Sequence, residues 1–334
     1  MPNCGKAVLL AIAIALSGTI IAGARGAPEL TADSVNGAEL SGKPPSSDKL
    51  SPVVVKAQIL LDRAHFSPGE IDGKLGDNTK KALRAYAEAN GLASTTELTQ
   101  EIWQKLAADS DPVLTQYTIA DKDARGPFLA KLPAKLEAQK DIPALNYTNA
   151  REALAERFHI SEDLLSALNP GQKFDVAGGS IVVPAIATQV PKATVARVEV
   201  DKTRQTVKAF DKSNNLVAFY PATVGSEDKP SPSGTFKITS VTDNPTYRYN
   251  PDYHFKGVRA MTAFTIKPGP NNPVGTRWIG LNAEGYGIHG TPNPANVSKA
   301  DSHGCVRLTN WDVERLALMV KKGVPVAFVG DGKS

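Results

Sequence analysis

The sequence predicts a multidomain α+β protein in which two small units precede a larger, β-rich C-terminal domain. The chain has 334 residues, enough for two or three domains of ordinary size. Apolar residues follow helical spacing in residues 51–110, whereas short β-branched and aromatic runs between turn residues dominate residues 194–330. A composition of 41% hydrophobic and 22% charged residues is typical of chains that fold around apolar cores.

The charge distribution does not favour a nucleic-acid partner. The formal net charge is +4, and the basic residues are interspersed with acidic ones instead of forming a basic run. A mildly basic chain is compatible with an acidic polymer as its partner, although net charge by itself is weak evidence for one.

The first 24 residues have the layout of a secretory signal peptide. Lys6 precedes an uncharged segment of apolar and small residues that ends in Ala22-Gly23-Ala24, a pattern typical of signal-peptidase cleavage. We therefore expect cleavage after Ala24, export to the cell envelope or periplasm, and no stable membrane span afterwards. An uncleaved anchor is the alternative, because the segment is close to the minimum length of a span.

Of the two cysteines, one is expected to remain in the mature protein. Cys4 precedes the apolar segment and is expected to leave with the signal peptide, so Cys305 would be the remaining thiol. A single thiol in an oxidising compartment has no internal disulfide partner, which makes it a candidate reactive group. The alternative is a buried cysteine that acts as a small apolar side chain.

A helical unit is expected in residues 51–110, after a flexible linker in residues 25–50 that is rich in Gly, Ser and Pro. Three helices are predicted, with Asp77 or Asn78 as the N-cap of the second. The string F-S-P-G-x-I-D-G-x-x-G-x-x-T-x-x-A-L-x-x-Y, residues 66–86, resembles the three-helix peptidoglycan-binding domain family. That resemblance implies a peptidoglycan partner, and a helical spacer without ligand is the alternative.

Residues 111–190 predict a strand, two helices and a second strand, with an insert at about residues 120–148. The strings ISEDLLSALNPG and GGSIVVP supply the second helix and the last strand of this pattern. They resemble the LysM family of glycan-binding modules. The His residues of these two units, His65 and His159, are expected to be ordinary solvated side chains.

Two short segments of the β-rich domain carry the residues expected to do chemistry. His289 lies in G-I-H-G-T and Cys305 in S-H-G-C-V-R, joined by a loop that can bring both side chains together. An imidazole can take the thiol proton, and the imidazolium then stabilises the thiolate. The other imidazole nitrogen needs an acceptor, for which the backbone carbonyl of Gly290 or a neighbour is a candidate.

Acyl transfer also needs an oxyanion site and a group that holds the substrate, and residues beside Cys305 could supply both. Gly304 allows close backbone approach, so the amides of Gly304 and Cys305 could face a developing oxyanion. Arg307 shares a face with Cys305 on an extended backbone and could hold a substrate carboxylate or carbonyl.

These segments resemble the active-site signature of the L,D-transpeptidase family with a YkuD-type catalytic domain. The P-x-G-x-F segment of residues 232–236 and the PGPNNPVGTRWIGL stretch of residues 268–281 extend the resemblance over residues 194–330. It implies Cys305 as nucleophile and His289 as base, with no metal and no cofactor. The resemblance and the local sequence give supporting roles to Ser302, His303, Gly304 and Gly290, and substrate contacts to Arg307, Trp278 and Tyr253.

The resemblance also implies a reaction on peptidoglycan. The thiolate attacks a tetrapeptide stem after its third residue, D-alanine leaves, and an amine resolves the thioester to give a 3–3 cross-link or an anchored envelope protein. It further implies that a carbapenem acylates Cys305. The sequence does not choose the acceptor, and water would make the protein an L,D-carboxypeptidase.

Two other function classes remain open from the residues alone. A zinc hydrolase could use His254, His289, His303 and Cys305, but short metal-ligand spacings are missing. A non-catalytic wall-binding protein would fit the two N-terminal units equally well, and the intact pair of His289 and Cys305 argues against it.

Overall fold

The computed structural model describes Met1 and residues 30–42, 45–225, 230–253, 260–299 and 304–330. Apart from Met1, the expected signal peptide of residues 1–24 lies outside this part. No helix of the described residues is long and apolar enough to cross a membrane.

Helices dominate the N-terminal half and strands the C-terminal half. The helices are α1 (Ala32–Asn36), α2 (Pro52–Arg63), α3 (Asp77–Ala89), α4 (Gln100–Leu106), α5 (Asp121–Arg125), α6 (Leu136–Gln139), α7 (Ala150–Arg157), α8 (Glu162–Leu168) and α9 (Asn310–Met319). The strands are β1 (Leu114–Thr118), β2 (Ser180–Pro184), β3 (Arg197–Asp201), β4 (Thr206–Phe210), β5 (Leu216–Pro221), β6 (Gly234–Asp243), β7 (Tyr247–Tyr249), β8 (Phe264–Ile266), β9 (Arg277–Leu281), β10 (Gly287–His289), β11 (Val306–Arg307) and β12 (Pro325–Val329). Two short 3₁₀ helices are Pro251–Tyr253 and Pro294–Asn296.

The helical unit contains the three predicted helices, α2, α3 and α4. Their apolar faces meet in one core that includes Leu61, Leu83 and Ile102. The expected N-cap of α3 was wrong, because Gly76 caps the helix with an extended backbone and Asp77 is its first residue. The carboxylate of Asp77 then lies at the positive end of the helix dipole.

The interpretation of residues 25–50 as a flexible linker is wrong for residues 30–42. Helix α1 forms there, and its Val35 is fully buried in the core of the helical unit. Asn36 exchanges hydrogen bonds with the backbone of Leu114 on β1. A five-residue helix was missed because it is too short to show apolar periodicity.

The next unit has the expected strand–helix–helix–strand order. Strands β1 and β2 pair antiparallel, from Leu114 opposite Pro184 to Thr118 opposite Ser180, while α7 and α8 pack beside them. The insert carries α5 and α6 and reaches the C-terminal domain, where the Leu145 N–H donates to the Pro268 carbonyl at 2.8 Å. Membership of the LysM family stays a prediction.

The C-terminal domain is built on an eight-stranded sheet in the order β11-β10-β9-β6-β12-β3-β4-β5. Its two edges meet, because Thr223, just after β5, exchanges two backbone hydrogen bonds of 2.9 Å with Arg307 on β11. The sheet therefore closes on itself at the strand that follows Cys305. Helix α9 packs against β9 and β10, and its N-cap is Thr309, whose side chain accepts from the Asp312 N–H.

A buried ion cluster joins the three units. Asp62 on α2 accepts two hydrogen bonds from Arg315 on α9, at 2.8 and 3.0 Å, and lies 2.9 Å from Nδ1 of His159. Burial opposes ionisation of Asp62, but His159 and Arg315 outweigh it and hold the pKa of the carboxyl well below its usual range. His159 is buried and stacks on Trp311 at 5.1 Å, so the expectation of a solvated side chain was wrong.

Asp62→Ala is expected to destabilise the whole chain by about 3–5 kcal/mol, because it leaves the Arg315 charge buried without its partner. Urea unfolding of the purified protein measures this change. Asp121→Ala is the matched control, since its ion pair with Arg125 is exposed on both sides and exposed pairs stabilise little. Equal unfolding midpoints for the two variants would show that the cluster does not hold the units together.

Candidate active site

Cys305 lies immediately before β11, at the seam where the sheet closes. Its side chain is half-buried and forms no disulfide. The thiol donates to the Gly285 carbonyl at 3.4 Å, and the Gly287 N–H donates to the sulfur. The thiol therefore lies among backbone groups of the β9–β10 turn, in contrast to a cysteine that only fills an apolar core.

His289 is the last residue of β10 and is buried, with 4% of its surface exposed. Its Nδ1 lies 2.7 Å from the Gly290 carbonyl, the acceptor that the sequence suggested. Because a carbonyl can only accept, Nδ1 carries the proton, and Nε2 is left as the basic nitrogen. Trp278 on β9 stacks on the imidazole, with ring centres 5.5 Å apart and planes 16° apart, which fixes the ring orientation.

Strand register places His289 opposite Arg307, which lies two residues after Cys305. Strands β10 and β11 are parallel, with Ile288 opposite Val306 and His289 opposite Arg307. One residue earlier, the register sets Cys305 opposite Gly287, in agreement with the hydrogen bond from Gly287 to its sulfur. Residues two apart on a strand share a face, so an extended backbone at Cys305, which lies just before β11, would put its side chain on the same side as those of Arg307 and His289. Regular strand spacing puts the Cα atoms of Cys305 and His289 about 8 Å apart.

The electrostatics of the site favour neutral side chains in the resting state. Burial, with the nearby charge of Arg307, lowers the pKa of His289 to about 3, and the hydrogen bond to Gly290 only partly opposes this. Burial also raises the pKa of the Cys305 thiol, although the Gly287 N–H and the Arg307 charge act in the opposite direction. Both shifts favour a neutral thiol and a neutral imidazole over a thiolate–imidazolium pair.

Arg307 and Tyr247 complete the described surroundings of the thiol. The Arg307 guanidinium is close enough to Cys305 and Tyr247 to interact with both electrostatically, and burial lowers its pKa. Burial also raises the pKa of Tyr247, with contributions from Cys305 and Tyr249. A substrate contact was predicted for Arg307 from the sequence. Tyr247 was not identified, because it belongs to none of the motifs.

Known proteins resemble this chain over the same regions. Residues 196–327 match the sequence model of the YkuD L,D-transpeptidase catalytic domain, and residues 51–106 match that of a peptidoglycan-binding domain. A Bacillus licheniformis protein named as the L,D-transpeptidase YkuD is 31% identical over 178 residues, which are 53% of this chain and 91% of the relative. This chain belongs to the L,D-transpeptidase family.

Further relatives and solved structures carry the same family name. The Bacillus subtilis L,D-transpeptidase YkuD is 31% identical to this L,D-transpeptidase over 52% of the chain and 90% of the relative. The structure of an L,D-transpeptidase from Mycobacterium smegmatis covers 46% of this chain and 64% of its own, at 18% identity and a TM-score of 0.34. The family and the peptidoglycan-binding match make this chain an enzyme that acts on peptidoglycan.

A serine outside the sequence signature fixes the backbone beside the transpeptidase thiol. Ser231 is buried, and its hydroxyl donates to the Gly304 carbonyl at 2.7 Å while accepting from the Gly225 N–H at 2.9 Å. The Gly304 carbonyl and the Cys305 N–H belong to one planar trans peptide and point in opposite directions. Ser231 thereby sets the direction of the Cys305 N–H, the amide expected to face the oxyanion.

Gly304 is needed at its position for two reasons. Its φ of +104° lies in the region that favours glycine, and a Cβ there would approach Tyr286 Cε1 to 2.8 Å. The expected role of Gly304 in close backbone approach therefore has a steric basis.

Ser231→Ala is expected to lower kcat of the transpeptidase about tenfold with little change in KM, because the Gly304–Cys305 peptide loses its hydrogen bond. Ser231→Thr keeps the hydroxyl and is expected to restore most of the rate. Steady-state kinetics on a tetrapeptide stem measure both values. A change in KM alone, or no rescue by threonine, would contradict this positioning role.

Several predicted site residues cannot be placed. Ser302, His303 and His254 lie outside the described residues, as does the side chain of Tyr253. Within the described residues, no group of three His, Cys, Asp or Glu side chains could hold a metal ion. Trp278 contacts the imidazole, and its predicted contact with substrate stays a prediction.

Proposed function

We propose that this L,D-transpeptidase uses Cys305 as its nucleophile and Nε2 of His289 as its general base, and that it acts on peptidoglycan tetrapeptide stems. The observation that carries the proposal is a half-buried thiol two residues before Arg307, which pairs across β10 and β11 with His289, an imidazole whose tautomer is fixed by the Gly290 carbonyl. This arrangement joins a nucleophile to a base that a third group orients.

In the first half-reaction, Cys305 attacks the carbonyl carbon of the third stem residue. The thiol proton moves to Nε2 of His289 as the carbon–sulfur bond forms, and the oxyanion faces the Cys305 N–H. The imidazolium then gives its proton to the departing nitrogen, and D-alanine leaves a thioester on the enzyme.

In the second half-reaction, an acceptor amine attacks the thioester and the Cys305 sulfur leaves. Nε2 of His289 takes a proton from the amine and returns it to the sulfur, which restores the neutral resting pair. The acceptor in this proposal is an amine of another stem, which gives a 3–3 cross-link, or an amine on an envelope protein.

The cellular setting belongs to the same proposal. Residues 1–24 direct export to the cell envelope or periplasm, where peptidoglycan is found, and cleavage after Ala24 releases the mature chain. The helical unit of residues 51–110 and the LysM-like unit of residues 111–190 then hold the enzyme on the polymer. The docking of the insert on the catalytic domain through Leu145 and Pro268 supports a fixed arrangement of these units.

The test is to incubate the mature enzyme with a purified stem tetrapeptide and identify the products by mass spectrometry. A cross-linked dimer with release of one D-alanine supports transpeptidation. Free tripeptide as the sole product would assign an L,D-carboxypeptidase with water as acceptor. Absence of D-alanine release from any tetrapeptide would overturn the proposed donor.

A carbapenem is expected to acylate Cys305, because its strained amide presents an acyl carbon to the same thiol. Intact-mass spectrometry of the wild-type enzyme would show the mass of one inhibitor added. An equal adduct on Cys305→Ala, or none on the wild type, would count against the donor site.

A further inference from the structure

A cleft of about 200 Å³ lies between helix α3 and the catalytic domain. Lys81, Arg84 and Glu88 line it from α3, and the turn between β3 and β4 with the start of β4 lines the opposite side, together with Phe219 of β5. One wall therefore belongs to the unit that matches a peptidoglycan-binding domain, and the other to the transpeptidase domain.

Positive charge dominates the cleft. Four of its lining residues are basic, namely Lys81, Arg84, Arg204 and Lys208, and Glu88 is the acidic one. Lys208 lies 3.9 Å from Glu88, and Arg204 lies 3.8 Å from Asp201. Arg84 has no hydrogen bond or ion pair with any residue in the described part of the chain, so the cleft keeps a cationic donor available for a ligand.

A buried hydroxyl in the same wall also lacks a partner. Thr206 at the start of β4 is 2% exposed, and its Oγ1 has no hydrogen-bond partner among the described residues. Buried hydroxyls are nearly always hydrogen-bonded. The wall opposite α3 therefore contains an unsatisfied polar atom, although it is covered by the surrounding residues.

The cleft is connected to the loop that joins His289 to Cys305. Lys81 donates from Nζ to the Ser298 hydroxyl, which itself donates to Gln205 Oε1 at 3.3 Å. The Ser298 N–H donates to Thr223 Oγ1 at 2.8 Å, and Thr223 pairs with Arg307. The cleft thus lies behind the active-site loop and is separate from the thiol, His289 and Arg307.

We infer that this cleft binds a free carboxylate of a peptidoglycan stem peptide other than the stem that reacts at Cys305. A carboxylate supplies acceptors for the Arg84 guanidinium and neutralises the excess positive charge of the cleft. Both walls belong to domains that act on or bind peptidoglycan, which favours this polymer over other anions. The inference rests on the proposed function only for the identity of the polymer.

The test compares binding of the full-length mature protein to purified, insoluble peptidoglycan before and after its carboxylates are converted to neutral amides. Wild type is expected to bind the amidated polymer about fivefold more weakly. Arg84→Gln is expected to bind native polymer about fivefold more weakly than wild type and to be insensitive to amidation.

Lys322→Gln is the matched control, because it removes one positive charge from an exposed residue after α9, outside the two N-terminal units. It is expected to bind native and amidated polymer as wild type does. Arg84→Gln that responds to amidation as strongly as wild type would overturn the inference, as would Lys322→Gln that weakens binding as much as Arg84→Gln. Inorganic phosphate and acetate are added as competitors of polymer binding. If phosphate competes as strongly as acetate and amidation has no effect, the cleft would be assigned to phosphate instead.

The binding comparison needs no turnover, so it separates this inference from the proposed function. Failure to release D-alanine from a soluble tetrapeptide would overturn the reaction assigned to Cys305 and leave the binding result intact. Equal binding by all variants would overturn the cleft assignment and leave the reaction intact.

Discussion

Cys305→Ala is expected to lower D-alanine release from a stem tetrapeptide by at least about 10⁴-fold, because the thioester cannot form without its sulfur. The side chain is half-buried and its described contacts are to the backbone groups of Gly285 and Gly287. Its removal should therefore leave the fold unchanged. The measurement is the rate of D-alanine release under substrate saturation, with circular dichroism to confirm that the variant is folded.

Cys305→Ser is the sharper control for this result. It keeps a nucleophilic atom of similar size in the same backbone setting, and its hydroxyl is a much poorer nucleophile at neutral pH. We expect it to be nearly as inactive as the alanine variant. Either variant retaining more than a tenth of wild-type turnover would remove Cys305 from the reaction.

His289→Ala is expected to lower kcat about 10²–10⁴-fold, the usual effect of losing a general base. Imidazole added to the buffer should restore part of this rate, because the cavity left beside Trp278 can hold the free base. Rescue distinguishes a lost proton acceptor from a disturbed fold. No rescue together with an unchanged kcat would show that another group takes the thiol proton.

The pH dependence of the thiol tests the neutral resting pair. Because burial raises the pKa of Cys305 and lowers that of His289 to about 3, little thiolate is present at pH 6. The rate of Cys305 alkylation by iodoacetamide should then rise about tenfold per pH unit between pH 6 and 8. A high, pH-independent alkylation rate from pH 5 upward would instead indicate a thiolate–imidazolium pair.

The elements that the sequence predicted well are those specified by local patterns. Helices α2 to α4 follow from apolar periodicity and from turn residues, and the strand-rich character of the C-terminal domain follows from its short β-branched and aromatic runs. The candidate site was found because its main groups lie in two short motifs, one of which includes the Gly290 carbonyl that holds His289.

The features that the sequence did not reveal depend on contacts between distant residues. Ser231 reaches Gly304 across 73 positions, and Asp62 reaches Arg315 across 253. Neither pair has a spacing that a local pattern could indicate. The resting protonation states were also missed, because burial rather than residue type sets the pKa values of Cys305 and His289.

The central claim, that Cys305 carries the acyl group, is tested most directly by trapping the intermediate. The enzyme is quenched with acid during turnover of a stem tetrapeptide, digested, and its peptides are analysed by mass spectrometry. We predict that the tripeptide acyl group is attached to the peptide containing Cys305 and that neutral hydroxylamine releases it, as expected of a thioester. An acyl group on any other residue, or one that resists hydroxylamine, would contradict the account.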